Sequence, residues 1–383
     1  MPDATAAPPI APRPRPGDRA GAVLTIDLGA IRANHRLLRR VTAPAACAAV
    51  VKADAYGLGA APVARALLAE GCRDLFVAHL EEGIALRAAL GRAPRILVLH
   101  GPLPGTEAEC AAHGLVPVLN DPCEIAAWAA LCRARGERLP AWVQVDSGMA
   151  RLGLAPAEVA ALAEDEALDT FALAGVMSHL ACADEPEHPA NAAQLAVFEA
   201  LRRRLPPAPA SLAASSGVFL GPAYRFDLVR PGAAHYGINP TPGRPNPMRP
   251  VVRLQARVVQ TREVPAGTPV GYGHTATTTA PTRLATIVAG YADGVHRAAS
   301  GRGAAWFGGV RLPFLGRVSM DSIILDVTAL PPGTLRPGTL VDLLDPEHGV
   351  DEAALAEGTI GYEVLTSLGA RYHREYLDGG DMA

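Results

Sequence analysis

Of the 35 basic side chains in this 383-residue chain, one is a lysine, Lys52, and all the others are arginine. Arginine is planar and keeps its proton, whereas a buried lysine amine can release its proton and add to a carbonyl. The one position that keeps lysine is therefore a candidate for imine chemistry, either with a carbonyl substrate or with pyridoxal phosphate. Its setting supports that over a stray surface lysine in an Arg-, Ala- and Pro-rich chain. The segment reads Val50-Val51-Lys52-Ala53-Asp54-Ala55-Tyr56-Gly57-Leu58-Gly59. An apolar run ends at the lysine, and two glycines then allow a tight turn into the next helix. An amine at the end of a strand sits on a rigid element, as an imine-forming group requires. Tyr56, four residues on, has a hydroxyl suited to a phosphate or to the lysine itself.

The elements that must position Lys52 are legible as alternating patterns. Apolar runs at Cys47–Val51, Leu75–Ala78, Arg95–Leu99, Leu115–Leu119, Ala141–Val145, Ala172–Ser178, Pro209–Ala214 and Asp227–Val229 alternate with helical stretches such as Pro62–Glu70 and Pro122–Arg135. About eight strand–helix units predict a closed (β/α)8 TIM-type barrel. An open doubly wound sheet is the competing arrangement, but no Gly-rich phosphate loop opens a first helix. Polar residues follow the runs: Lys52, His79, His100, Asn120, Asp146, His179, Ser215-Ser216 and Arg230. Barrel enzymes keep their chemistry at that end of the strands. We read His79 and His100 as structural.

Past residue 240 the pattern changes. Asn239–Pro250, dense in Pro and Gly, reads as a linker. Short β-rich runs follow at Val251–Val259, Leu284–Ala289, Ser322–Val327 and Leu340–Leu344, punctuated by Pro/Gly turns. The expected organisation is α/β plus all-β. It comprises a disordered tail over 1–20, the barrel over 21–245 and a smaller C-terminal β-strand domain over 246–383.

At 49% hydrophobic, 19% charged and a net charge of −3, the chain gives no reason to expect nucleic acid or a membrane as partner. No segment is apolar enough to span a bilayer, and the first twenty residues contain no signal-peptide core. Six cysteines without metal-ligand or C-x-x-C spacing read as buried free thiols, which fits a cytoplasmic location and no metal.

Several strings, in order, then carry a resemblance: Val51–Gly59, Val145–Gly153 (Val-Asp-Ser-Gly-Met-Ala-Arg-Leu-Gly), Met177–Leu180, Val229–Gly232, Tyr236-Gly237, Val270–Gly273, Gly290–Gly294, Arg317–Asp321 and Gly361–Val364. Together they resemble the alanine racemases, pyridoxal-phosphate isomerases with a barrel and a C-terminal β-domain. The resemblance implies that Lys52 carries pyridoxal 5'-phosphate as a Schiff base and serves the D-isomer as base. Tyr272 serves the L-isomer from the second subunit of a homodimer with shared sites. Arg230 donates to the pyridine nitrogen, and His179 links Arg230 to the tyrosine. Tyr56, Ser216, Gly232, Ala233 and Tyr362 hold the phosphate. Arg151 takes the substrate carboxylate, while Met320, Tyr291 and Asp321 lie at the substrate and its entrance.

Two positions depart from the family. Gln144 stands where many relatives carry a carbamylated lysine seven residues before the substrate arginine, so no carbamate forms and the orientation of Arg151 is open. Ala214 and Ser215 precede Ser216 where the family usually has Asn before the phosphate serine. The expected function is interconversion of L- and D-alanine for peptidoglycan precursors. The alternatives are a racemase of other range, such as serine, a same-fold decarboxylase, and a non-catalytic cofactor carrier. Such carriers lack the second domain.

Overall fold

A computed structural model describes residues 16–379. The chain divides into two compact units that interleave in sequence. The barrel unit holds residues 26–252, 346–368 and 376–379, and the β unit holds 16–25, 253–345 and 369–375.

In the barrel unit, seven parallel strands follow one another in chain order: Ala49–Val50, Asp74–Val77, Arg95–Val98, Val116–Leu119, Pro140–Gln144, Ala172–Met177 and Ala210–Ser211. Strand Leu228–Val229 closes the ring. Its flanks meet Ala210–Ser211 through Asp227 N–H to Ala210 O (3.0 Å) and Arg230 N–H to Ala213 O (2.9 Å). On its other side it runs parallel to Ala46–Cys47, and Val50 N–H reaches Pro231 O at 2.9 Å. Eight strands thus close on themselves, as the alternating pattern predicts. Their short apolar runs are buried on both faces by side chains inside and helices outside.

The helix Leu28–Thr42 precedes the ring. Asp27 caps it, accepting from Ala30 N–H at 2.9 Å, and Ile31, Asn34, His35 and Leu38 form its buried stripe. The expected linker proves tightly tied to the barrel. Asn34 Oδ1 accepts from Arg249 N–H (2.8 Å), Asn246 donates to Gly237 O (2.8 Å), and Met248 is buried in the core.

The late segment departs from the expectation of an all-β C-terminal region. Val350–Glu357 and Gly361–Ser367 are helices and belong to the barrel unit. The first had a readable signal: acidic Asp351 and Glu352 in its opening turn, then Gly358 in the left-handed conformation at its end. The expected tail falls mostly outside the described residues. Its last part, Pro16–Arg19, is a single helical turn whose Gly17 carbonyl accepts from Arg257 (2.9 Å).

The β unit centres on the 13-residue strand Val252–Val264, antiparallel to Leu340–Leu344 and to Thr282–Ile287. The sheet runs through Val310–Pro313, Ala304–Phe307, Leu340–Leu344, Val252–Val264, Ala22–Asp27 and His373–Leu377, with Ile323–Asp326 paired to Thr282–Ile287. All six cysteines are free, but not all are core. Cys72, Cys110 and Cys132 are buried, Cys47 and Cys182 are half-buried, and Cys123 is exposed in the first turn of Pro122–Arg135.

Candidate active site

Lys52 leaves the strand Ala49–Val50 at the carboxyl rim of the barrel, beside a cavity of about 580 Å³. The turn that follows is unusual. Ala53, Asp54, Ala55 and Tyr56 all have φ between 52° and 57°, a full left-handed helical turn without a glycine. This conformation costs roughly 1–2 kcal/mol per residue, so four in succession persist only where neighbours over-determine them. Those neighbours are visible. Glu82 accepts from Ala53 N–H (2.7 Å), Asp54 accepts from Ala60 N–H (2.6 Å), and Leu58 O accepts from the Tyr376 hydroxyl (3.0 Å). Desolvation lowers the proton affinity of the Lys52 amine, Arg151 lowers it further, and Glu82 opposes them.

Arg151 reaches the same cavity from a loop organised by Asp146, whose Oδ1 accepts from the amides of Gly148 (2.9 Å), Met149 (2.9 Å) and Ala150 (3.2 Å). Burial raises the Asp146 carboxyl, but the three amides outweigh it and hold the group below its usual range. Gln144 lines the cavity and donates to Leu152 O at 3.2 Å, the residue after Arg151. The glutamine therefore acts on the backbone of the loop.

Arg230 is 3% exposed and spends its donors on Ser211 Oγ (2.5 Å), Ser178 O (2.6 Å), Leu212 O (3.4 Å) and His179 Nδ1 (3.5 Å). A guanidinium only donates, so His179 Nδ1 accepts and its proton sits on Nε2. Burial and the cations Arg230, Arg151 and Lys52 push His179 down to about 3, so its ring is neutral. Ser215 Oγ accepts from the amides of Gly232 and Ala234, both at 3.1 Å. A side chain at Gly232 would bring its Cβ within 2.5 Å of the Tyr56 hydroxyl, so only glycine lets that hydroxyl approach the loop. Tyr56 lies between Tyr236 and Tyr362, at ring distances of 4.8 and 6.0 Å.

The structure brings Lys52, Tyr56, Arg151, His179, Arg230, Gly232 and Tyr362 around one cavity. Ser216 instead opens onto an adjoining cavity of about 550 Å³ that shares His179, Ser215 and Tyr362, and Ala233 is buried behind the loop. Ser215 lines both spaces, so it joins the predicted residues. His100, read as structural, also lines the Lys52 cavity, and His79 packs edge-on against it at 4.8 Å. Its place at the carboxyl end of Arg95–Val98, on the same rim as Lys52, was the available signal. Glu82 gave none, because its partners are backbone amides.

Tyr272, Tyr291, Met320 and Asp321 belong to the β unit. Tyr272 and Tyr291 line a cavity of about 400 Å³ with Arg297 and Arg317. Tyr272 is 71% exposed and Met320 52%, so Met320 is not the core residue its type suggests. Tyr291 N–H and Ala292 N–H donate to Ser319 O and Met320 O, both at 3.0 Å, and Arg371 fixes Asp321 at 2.7 Å. Elsewhere in the barrel unit, one ligand atom each from His35, Cys47 and His235 lies within 4.8 Å of the others.

The barrel cavity thus pairs one partly desolvated amine with two guanidiniums and a phosphate-sized cradle of amides and hydroxyls, an arrangement for an anionic carbonyl cofactor and an amino-acid carboxylate. Comparison with known proteins agrees. Residues 26–240 match the alanine racemase N-terminal domain, and residues 251–376 match its C-terminal domain. A Mesorhizobium japonicum protein named "Alanine racemase, catabolic" is 62% identical over 94% of each chain. One of the same name from Agrobacterium fabrum is 54% identical over 94% of this chain and 93% of its own. A crystal structure of alanine racemase from Bartonella henselae with covalently bound pyridoxal phosphate superposes with a TM-score of 0.90 at 42% identity, covering 94% of this chain and all of that one. On the strength of these matches along both domains, the chain belongs to the alanine racemase family.

Proposed function

We propose that this protein interconverts L- and D-alanine using pyridoxal 5'-phosphate attached to Lys52. The observation that carries the reading is a single lysine, partly desolvated and beside Arg151, opening into the cavity that Arg230 and the Gly232 loop also line. The residues present fit the cofactor. Lys52 is the only side-chain amine, and the amides around Gly232 with Tyr56, Ser215, Ser216, Ala233 and Tyr362 suit a phosphate. When bound, pyridoxal phosphate supplies the electron sink that makes the Cα–H of an amino acid acidic.

The chain's own groups do the rest. Arg151 binds the substrate carboxylate. Arg230 would be the donor toward the ring nitrogen of the bound cofactor, and because a guanidinium holds its proton it would leave that nitrogen unprotonated, which would favour return of a proton to Cα. The Lys52 amine moves the proton on the D face. Tyr272 of a second copy moves it on the L face, and His179 links Arg230 toward that tyrosine. Exposed Tyr272 and Met320, with Tyr291 and Asp321 at the entrance, support a homodimer in which each β unit completes the other copy's site.

A cytoplasmic location fits the six free cysteines. Among the described residues no helix is long and apolar enough to cross a membrane. For physiology, the names of the two relatives above favour alanine catabolism over supply of D-alanine to peptidoglycan. A deletion strain that needs no added D-alanine but grows poorly on alanine would bear this out.

The enzymological test is borohydride reduction of the purified protein followed by peptide mapping, with racemisation of alanine, serine and other amino acids. Label on the Lys52 peptide and preference for alanine are the expected results. Label elsewhere overturns the reading, preference for serine moves the substrate, and carbon dioxide release would make it a decarboxylase.

A further inference from the structure

The left-handed turn after Lys52 raises the question of what holds it, and one side chain stands out. Glu82 is the third residue of the helix Leu80–Leu90, where it caps its own helix start. Its Oε2 accepts from Ala78 N–H at 2.7 Å and His79 N–H at 3.2 Å, an ordinary capping arrangement. Its other oxygen does something a cap does not require. Oε1 crosses to the neighbouring strand end and accepts from Ala53 N–H at 2.7 Å, the first amide after Lys52 and the first left-handed residue. One carboxylate therefore ties the ends of two adjacent barrel strands, Ala49–Val50 and Asp74–Val77, to each other.

We propose that Glu82 is a positioning residue for the racemisation chemistry: its reach to Ala53 fixes the turn that aims Lys52, and it places a carboxylate beside that amine. The inference rests on the function proposed above. The charged and titratable groups that line the cavity with this amine come from several elements: Arg151 after Pro140–Gln144, His100 after Arg95–Val98, His179 after Ala172–Met177, Arg230 after Leu228–Val229, Tyr56 in the turn, and Tyr362 and Glu363 on Gly361–Ser367. Glu82 is the carboxylate that acts on Lys52 against Arg151. The amide of Ala53 has a fixed direction in a left-handed turn, so losing its acceptor leaves strain without compensation at the residue bonded to Lys52.

The lone lysine makes the test clean. In the cofactor-stripped full chain, trinitrobenzenesulfonate labels one side-chain amine, and peptide mapping separates Lys52 from the N-terminus. Glu82→Gln keeps the side-chain length and removes the charge, and its one acceptor oxygen can serve Ala53 N–H or the helix-start amides but not both; the pH midpoint of Lys52 labelling should fall below that of wild type. Glu82→Asp keeps the charge and shortens the reach. It should leave the midpoint in place while racemisation by the holoenzyme slows about a hundredfold. Glu81→Gln, an exposed neighbour on the same helix, is the control.

A Glu82→Gln midpoint no further from wild type than that of Glu81→Gln overturns the charge role. A Glu82→Asp protein racemising at the wild-type rate overturns the positioning role, and this variant carries the test if Glu82→Gln does not fold. Failure of borohydride to fix the cofactor on Lys52 in the wild type would instead overturn the proposed function, leaving the labelling midpoints as the measure of Glu82.

Discussion

The two regions that carry the proposed acid/base groups are built in opposite ways. At the barrel rim, Lys52 and Arg230 are enclosed by elements of one unit, and their neighbours shift their proton affinities. On the β unit, Tyr272 stands 71% exposed beside a smaller cavity that it lines with Arg297 and Arg317. Burial disfavours the charged form of an amine, and the chain's own elements arrange it for the lysine. Tyr272 is left largely open on its own unit. The difference teaches that the lysine half of the proposed chemistry is pre-organised, whereas the tyrosine half depends on what covers it.

Perturbations of each side should separate along that line. Lys52→Ala removes both cofactor attachment and one base. Racemisation should fall by more than about 10⁴-fold with loss of the visible cofactor band. Tyr272→Phe should cost about 10²–10⁴-fold in racemisation but leave cofactor attachment intact. In deuterated solvent it should still exchange the Cα hydrogen of D-alanine while losing exchange from L-alanine. Equal exchange from both isomers would remove Tyr272 from its role and erase the contrast.

Acid should weaken the barrel side in particular. Burial first, and Arg39 second, hold His35 at about 4 against 6.5 in the unfolded chain. The folded affinity is the lower one, so the unfolded state gains the proton first as pH falls. Stability is full above about 6.5, declines between 6.5 and 4, and the loss from this group approaches about 3 kcal/mol. Urea titrations across this window should show it in the fluorescence of Trp128 and Trp142, which lie in the barrel unit, more than in that of Trp306 in the β unit. An unchanged midpoint between pH 7 and 4.5 would refute the assignment.

Gly232→Ala forces Cβ toward the Tyr56 hydroxyl at 2.5 Å and should weaken cofactor retention at a cost of about 1–3 kcal/mol, read by equilibrium dialysis. Smallest is Asp27→Ala, which removes the cap of Leu28–Thr42 and should lower unfolding stability by about 1 kcal/mol with racemisation unchanged.

Lys52 and Arg230 were readable because their signal is local, a residue type at the end of an apolar run, whereas Arg151 was reached only through the resemblance. The eight-fold alternation made the barrel readable for the same reason. The left-handed turn was not, because Ala53, Asp54, Ala55 and Tyr56 have no intrinsic preference for it. Their conformation is held by Glu82 and Tyr376 from distant parts of the sequence and by the bond from Ala60 N–H to Asp54 within the segment. Ser215 and Ser216 are adjacent in sequence, and only the backbone path decides which faces the Lys52 cavity. Met320 shows the same limit from the other side, since an apolar side chain carries no mark of whether it faces a core or the outside. The helices at Val350–Glu357 and Gly361–Ser367 were overlooked because the β-rich runs before them set the reading of the whole segment.

The interleaving of the two units has a consequence for how the protein is made. Ile360, Tyr362, Glu363 and Thr366 wall the Lys52 cavity, yet they leave the ribosome after the β unit's strands from Val252 to Leu344 have been synthesised. A nascent chain that has finished all eight barrel strands still lacks one side of the pocket. Cofactor capture therefore reports on nearly complete synthesis, and prematurely terminated chains should be unable to retain pyridoxal phosphate even when their barrels have closed.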